Sequence, residues 1–167
     1  MTDAHAPQPV LVVPDSIREA LVEAARDASP EECCGVLGGA FDPKHSRVTS
    51  WYPAANAAEE PRERYLIDPT VQLEIFETLE ARGEEIVGFY HSHPRGPPVP
   101  SQTDVDAAAW PDRSYVIVVG PFEDEGAGKR ATVRSWRWRA GDETGQFERE
   151  RLESPLGGPD DASSTHD

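Results

Sequence analysis

Four prolines crowd the stretch Pro94-Arg95-Gly96-Pro97-Pro98-Val99-Pro100. Proline lacks the N–H and the torsional freedom that a helix interior or an inner strand demands, so this stretch can only be a stiff loop. Before it stands the apolar run Ile86-Val87-Gly88-Phe89-Tyr90, short and rich in strand-forming types, which reads as a buried strand. After it, Ser101-Gln102-Thr103-Asp104 has the spacing of a helix N-cap with an acid in the first turn. The chain is therefore expected to run strand, rigid loop and short helix, the helix covering Ser101 to Trp110.

Side chains with chemistry flank the loop. His91 and His93 lie two apart at the strand end, hence on one face, and a returning loop sets Asp104 against them. Two imidazoles and one carboxylate, with a fourth position open, make the ligand count of a catalytic zinc site rather than a closed structural one. Zinc there brings a bound water to a pKa of about 7 and polarises a carbonyl, as peptide hydrolysis requires. Each part alone has an ordinary explanation. Ser101 with Asp104 is a common cap, and a lone His-x-His is weak evidence for a metal. The two roles are compatible, since a helix cap also fixes where its side chains point.

The rest of the chain alternates between the two periodicities. Val10 to Val13 reads as a strand. Ser16 with Glu19 reads as a capping box, followed by a helix with Ile17, Leu21, Ala24 and Ala25 on one face, ending before Pro30. Cys33–Gly39 and Arg47–Tyr52 are strand candidates. Asp68 and Pro69 open a second helix with the stripe Val71, Ile75, Phe76 and Leu79, closed by Gly83. Tyr115–Val119 is a further strand, and Ala131–Arg139 with Gly145–Leu152 form a hairpin. Strands and helices mixed in one domain of residues 10–153 give an α+β class, an α/β sandwich. Residues 1–9 and the acidic stretch 154–167 read as disordered tails.

Charge narrows the function. There are 31 acids against 16 bases, only Lys44 and Lys129 being lysines, for a net charge of −15. Such a surface resembles proteins of salt-loving archaea, where salt screens the repulsion. It argues against nucleic acid as partner, because affinity there comes from neutralising phosphates. No run approaches the ~20 apolar residues of a membrane span, and no secretory signal opens the chain. A soluble, cytoplasmic protein is expected. Adjacent Cys33 and Cys34 fit neither a disulfide framework nor a Cys-x-x-Cys site and read as small buried residues.

Upstream, Glu31-Glu32-Cys33-Cys34-Gly35-Val36-Leu37-Gly38 places acids before a glycine-containing apolar strand. With this segment the chain resembles the JAMM (MPN+) zinc metalloproteases. Their pattern is Glu-x-x-Gly, then His-Ser/Thr-His, seven residues, Ser, two residues and Asp. His91-Ser92-His93, Ser101 and Asp104 match it without departure. The resemblance implies a central mixed β-sheet flanked by helices, in a cytidine-deaminase-like arrangement. It implies one Zn2+ per chain, bound by His91, His93 and Asp104. Glu32 would be the general base and Ser101 the oxyanion donor. Glu31 competes for the base role, but the spacing to Gly35 favours Glu32. Ser92 should face the opposite way and be structural. The implied activity is isopeptide hydrolysis after the C-terminal glycine of a small ubiquitin-like modifier protein, of the haloarchaeal type. Linear fusions or the C-terminus of a sulfur-carrier protein are related substrates.

Three weaker readings stand beside it. A domain of this fold can be a catalytically silent scaffold. Cys34 with a nearby histidine could make a thiol enzyme, for which a chelator would be harmless. Arg134-Ser135-Trp136-Arg137-Trp138-Arg139 interleaves bases with aromatics, but alternation puts Trp136 and Trp138 on one face of an ordinary strand and Arg137 and Arg139 on the other. That arginine face is expected to meet an acidic protein partner. Gly126-Ala127-Gly128-Lys129-Arg130 lacks the residues of a phosphate loop, and His5, His45 and His166 have no partner spacing.

Overall fold

The computed structural model describes residues 7–122 and 131–155. Val10–Val12 forms β1, with all three side chains buried. Helix α1, Asp15–Ala28, starts two residues earlier than the capping box would place it. Pro14 stands at its N-cap, no side chain caps it, and the Ser16–Glu19 box does not form. Proline's fixed φ and missing N–H suit a helix start, so Pro14 takes the place of a hydroxyl cap. Ile17, Leu21 and Ala25 are its buried face.

Cys34–Ala40 forms β2 and His45–Ala54 forms β3. Helix α2, Pro69–Ala81, has Asp68 as N-cap, accepting the Thr70 N–H, with Pro69 in the first turn. Gly83 follows its end at φ 74°, the left-handed conformation that suits glycine. Strand β4, Glu85–His93, runs on through both histidines rather than stopping at Tyr90. Then come α3, Gln102–Ala107, β5, Ser114–Val119, β6, Thr132–Ala140, and β7, Gly145–Glu153.

The strand order is β1-β3-β2-β4-β5-β6-β7, and β1 pairs in parallel with both β3 and β7, so the sheet closes into a barrel. β4 and β5 are also parallel, and the remaining pairs antiparallel. The mixed sheet and α+β class are as expected, and closure is the addition. Among the described strands it leaves no free edge for another chain to extend. Helix α1 packs with Leu11, Leu37, Val87 and Val116. Helix α2 packs through Leu79 with Val36, Phe89, Tyr115 and Trp138 on the other sheet face.

Closure overturns the expected role of Arg137. Trp136 and Trp138 do share a face, and Trp138 packs edge-on to Phe147 at 4.8 Å. The opposite face is the barrel interior, however, and Arg137 is 0% exposed. Its guanidinium pairs with Glu150 and donates to the carbonyls of Asp42 (2.7 Å), Asp112 (3.1 Å) and Val10 (2.9 Å). It cannot touch a partner.

The Pro9 carbonyl accepts from Arg151 N–H, so pairing begins one residue before the expected domain start. The expected tails, apart from residues 7–9, 154 and 155, lie outside the described residues, as do Gly126–Arg130, His5 and His166. Among the described residues no helix is long and apolar enough to cross a membrane.

Candidate metal centre

β4 is hydrogen-bonded on both sides where it carries the histidines: His91 pairs with Cys34 on β2 and with Ile117 on β5. That fixes both imidazoles on one face, their Nε2 atoms 3.1 Å apart. Ser92 points the other way, fully buried. Its Oγ accepts the Cys33 N–H at 2.8 Å while its own N–H donates to the Cys33 carbonyl at 3.1 Å. The structural part expected of Ser92 is thus to tie β4 to the chain entering β2.

The proline loop then supplies two services. The Pro97 carbonyl lies 2.9 Å from His93 Nδ1, an acceptor that holds the proton on Nδ1 and turns the Nε2 lone pair outward. The loop also returns the chain to α3, where Ser101 and Asp104 form a complete capping box. Ser101 Oγ accepts the Asp104 N–H at 3.1 Å, and Asp104 Oδ2 accepts the Ser101 N–H at 2.8 Å. From that position Asp104 places Oδ1 3.2 Å from His91 Nε2 and Oδ2 3.1 Å from His93 Nε2. The cap and the ligand are one arrangement.

The donor set fits a metal ion. Tetrahedral ligands at ~2.0–2.2 Å from zinc sit about 3.3 Å from one another. Here the three donors converge at 3.1–3.2 Å. Burial lowers the His93 pKa, but its hydrogen bonds to Asp104 and the Pro97 carbonyl outweigh this and raise it, so without a metal this ring favours a proton beside Asp104. Burial pushes the His91 pKa down, keeping the ring neutral. Burial alone would raise the Asp104 carboxyl, but hydrogen bonds to His91 and His93 outweigh it and hold the group well below the usual carboxylate range. Among the described residues His91 Nδ1 has no hydrogen-bond partner, and its ring is held instead by Tyr65, stacked at 4.5 Å and 24°.

Glu32 and Glu31 separate cleanly. Glu31 is exposed, while Glu32 is 6% exposed and lines the same cleft as His93 and Ser101. Burial raises the Glu32 carboxyl to about 7, with nearby His93 lowering it and Asp104 raising it. Gly35, the glycine of the Glu-x-x-Gly spacing, is required by packing. A Cβ there would lie 2.4 Å from both the Tyr52 carbonyl and the Tyr90 ring.

Sequence reasoning missed Asn56. Its Nδ2 donates to the carbonyls of Glu32 and Arg64, each at 3.0 Å, and its Oδ1 accepts from Ala58 N–H (3.0 Å) and Leu66 N–H (3.1 Å). Glu32 N–H meanwhile donates to Pro61 at 2.7 Å. The segment between β3 and α2 is thus fastened to the Glu32 backbone and carries Tyr65 onto His91. The only signal was an asparagine in a turn-rich stretch, which has no fixed spacing to its partners. Cys34, by contrast, is no nucleophile. Burial lifts its thiol to about 12, and Sγ lies 3.6 Å from the Ala54 carbonyl.

The cleft beside the three donors has a volume of about 550 Å³ and is lined by Glu32, Arg62, Glu63, His93, Arg95 and Ser101, among others. A closed mixed sheet whose His-x-His strand meets an Asp-bearing helix cap describes a domain with a donor set that fits a metal ion. The family described as prokaryotic homologs of the JAB domain matches residues 14–139, and the chain belongs to it. A desampylase of Haloferax volcanii is 46% identical over 103 residues, 62% of this chain and 73% of that protein. A CysO-cysteine peptidase of Mycobacterium tuberculosis is 39% identical over 110 residues, 65% of this chain and 73% of that protein. Among solved structures, a protein of Desulfitobacterium hafniense superposes with a TM-score of 0.70 at 28% identity, covering 86% of this chain and 93% of the other.

Proposed function

We propose that this protein is a zinc-dependent isopeptidase that releases a ubiquitin-like modifier protein by hydrolysing the bond after the modifier's C-terminal glycine. The observation that carries the reading is the convergence of His91, His93 and Asp104 beside a buried Glu32 at the wall of one cleft. The desampylase of Haloferax volcanii supports the substrate class. His91, His93 and Asp104 would hold one zinc ion, which supplies Lewis acidity and a water ionisable near neutral pH. Glu32 would accept a proton from the water that attacks the carbonyl carbon. It would return that proton to the lysine nitrogen as the C–N bond breaks, and the second water proton ends on the amine, leaving a carboxylate and an ammonium group. Ser101 Oγ already accepts the Asp104 N–H, so its O–H remains free to donate to the oxyanion.

The test uses zinc-loaded protein and a modifier joined to a lysine side chain, in low and in molar salt, with mass analysis of the products. Chelation should abolish cleavage. Glu32→Gln should keep the metal and lower kcat on the order of a thousandfold, whereas His91→Ala should lose the metal. Cleavage that survives both chelation and Glu32→Gln would remove this mechanism. The resemblance to a CysO-cysteine peptidase favours a second reading, removal of a residue from a sulfur-carrier protein's C-terminus. It is recognised by release of a single amino acid rather than of a target protein.

A further inference from the structure

Away from the cleft, a groove of about 310 Å³ opens beside the β6–β7 hairpin, and Arg18, Arg134, Arg149, Arg151 and Glu153 are among its lining. The β6–β7 ladder ends at the Ser135–Glu150 pair, and Arg134 and Arg151 are the next residues along each strand. Glu150 also reaches the lining, but its carboxylate is taken up by Ser135 and Arg137 in the interior. Glu153 pairs with Arg151, and Arg149 lies 5.5 Å over the Trp136 ring. Among the described residues Arg18, Arg134 and Arg149 have no carboxylate at ion-pair distance. In a chain with 31 acids for 16 bases, four arginines against Glu153 and an inward-turned Glu150 make a local excess of positive charge. Such fields select partners by complementary charge.

The position of this field relates it to the cleft. Ile117 pairs with His91 on one side and with Arg134 on the other. Residues paired across strands share a sheet face, and strands lie about 4.8 Å apart, so Arg134 stands about 10 Å from His91 on the same face. The proline loop passes over β5 in between, a Cβ on Gly96 coming within 3.2 Å of Val119. A molecule that fills the cleft and also reaches the arginines must straddle this loop, which asks for a folded body rather than a peptide tail.

We propose that this groove docks an acidic surface of the ubiquitin-like modifier whose C-terminal glycine is cleaved. The proposal rests on the isopeptidase reading above. Arginine suits the task because its planar fork pairs bidentately with carboxylates.

The test compares wild type with Arg134→Glu/Arg151→Glu on two substrates. One is an acidic small archaeal ubiquitin-like modifier fused through its C-terminal glycine to a reporter, and the other a short peptide of the same C-terminal residues on the same reporter. Binding of the free, labelled modifier is titrated alongside. The double variant should raise KM for the fusion and Kd for the modifier, roughly tenfold or more, with kcat and the peptide kinetics unchanged. The milder Arg134→Gln, which keeps a long polar side chain at this half-buried position, should move both in the same direction by less. Unchanged KM and Kd, or equal changes on both substrates, overturn the docking surface. So does loss of the effect in a chain ending at Pro155, since the acidic residues 156–167 would then be the occupant. Competition by a single-stranded oligonucleotide at equal strength assigns the groove to nucleic acid instead. If wild type cleaves nothing yet the variants bind the modifier more weakly, the groove stands and the isopeptidase reading falls.

Discussion

Glu32 is a carboxylic acid placed where its charge is unwelcome. Burial holds its folded-state pKa near 7 against an ordinary value of 4.5, so between those pH values the folded metal-free protein binds a proton that the unfolded chain has released. Stability then falls as pH rises across this window, and the full deficit is present above pH 7. Glu32→Gln should therefore stabilise metal-free protein by about 2 kcal/mol at pH 8 and by nothing at pH 4, read by urea unfolding at both pH values. An equal effect at the two pH values would mean that the gain is packing rather than charge. Arg137 makes the opposite case, a buried charge that is fully paired. Glu150→Gln should lower stability by about 3 kcal/mol because it leaves a guanidinium in the barrel interior. Arg137→Met should cost more, since the Val10, Asp42 and Asp112 carbonyls also lose their donor. Denaturant midpoints of the two variants give that order directly.

Among the elements, local chemistry was legible and distant pairing was not. The prolines, Asp68 before Pro69, and the Ser101–Asp104 box announce themselves because each acts within a few residues. So do His91, His93 and Glu32, whose spacing carries the family's pattern. Closure of the sheet was hidden, since it depends on the three residues of β1 pairing with β7 some 140 positions away, and no local pattern encodes a partner that distant. The reading of Arg137 failed for that reason alone. Alternation correctly put it opposite the tryptophans, but only closure decides which face is inside. Asn56 was hidden for a related reason, because its meaning lies in backbone groups that the fold brings to it. Replacing it should therefore disturb the site through the segment it holds. Asn56→Ala should lower kcat about tenfold or more while leaving KM and zinc content near wild type, as expected for loss of two or more hydrogen bonds that position Glu32 and Tyr65. A variant that loses zinc in proportion to activity would instead place Asn56 in metal retention.

For the molecule as a whole, two independent sources of stability should be separable. The three donors come from β4 and α3, joined through the proline loop, so an ion held there would fasten a strand to a helix on a closed barrel and favour the native state, the only one in which the donors converge. Metal at about a thousand times its Kd then adds about 4 kcal/mol to unfolding, by mass action. The other source is the surface. A net charge of −15 repels itself, and the Debye length shrinks from about 10 Å at 0.1 M salt to about 3 Å at 1 M. Molar salt should therefore raise the Tm of metal-free and metal-loaded protein alike. The increment from metal should hold steady, since donors as buried as His91 and His93, 1% and 7% exposed, are screened little. A four-cornered Tm experiment, with and without metal at low and molar salt, measures both. Additive shifts are the expected result. A metal increment that vanishes in molar salt would mean that the ion acts by neutralising surface charge, and Asp104→Asn would then shift Tm with metal as wild type does instead of losing the increment altogether.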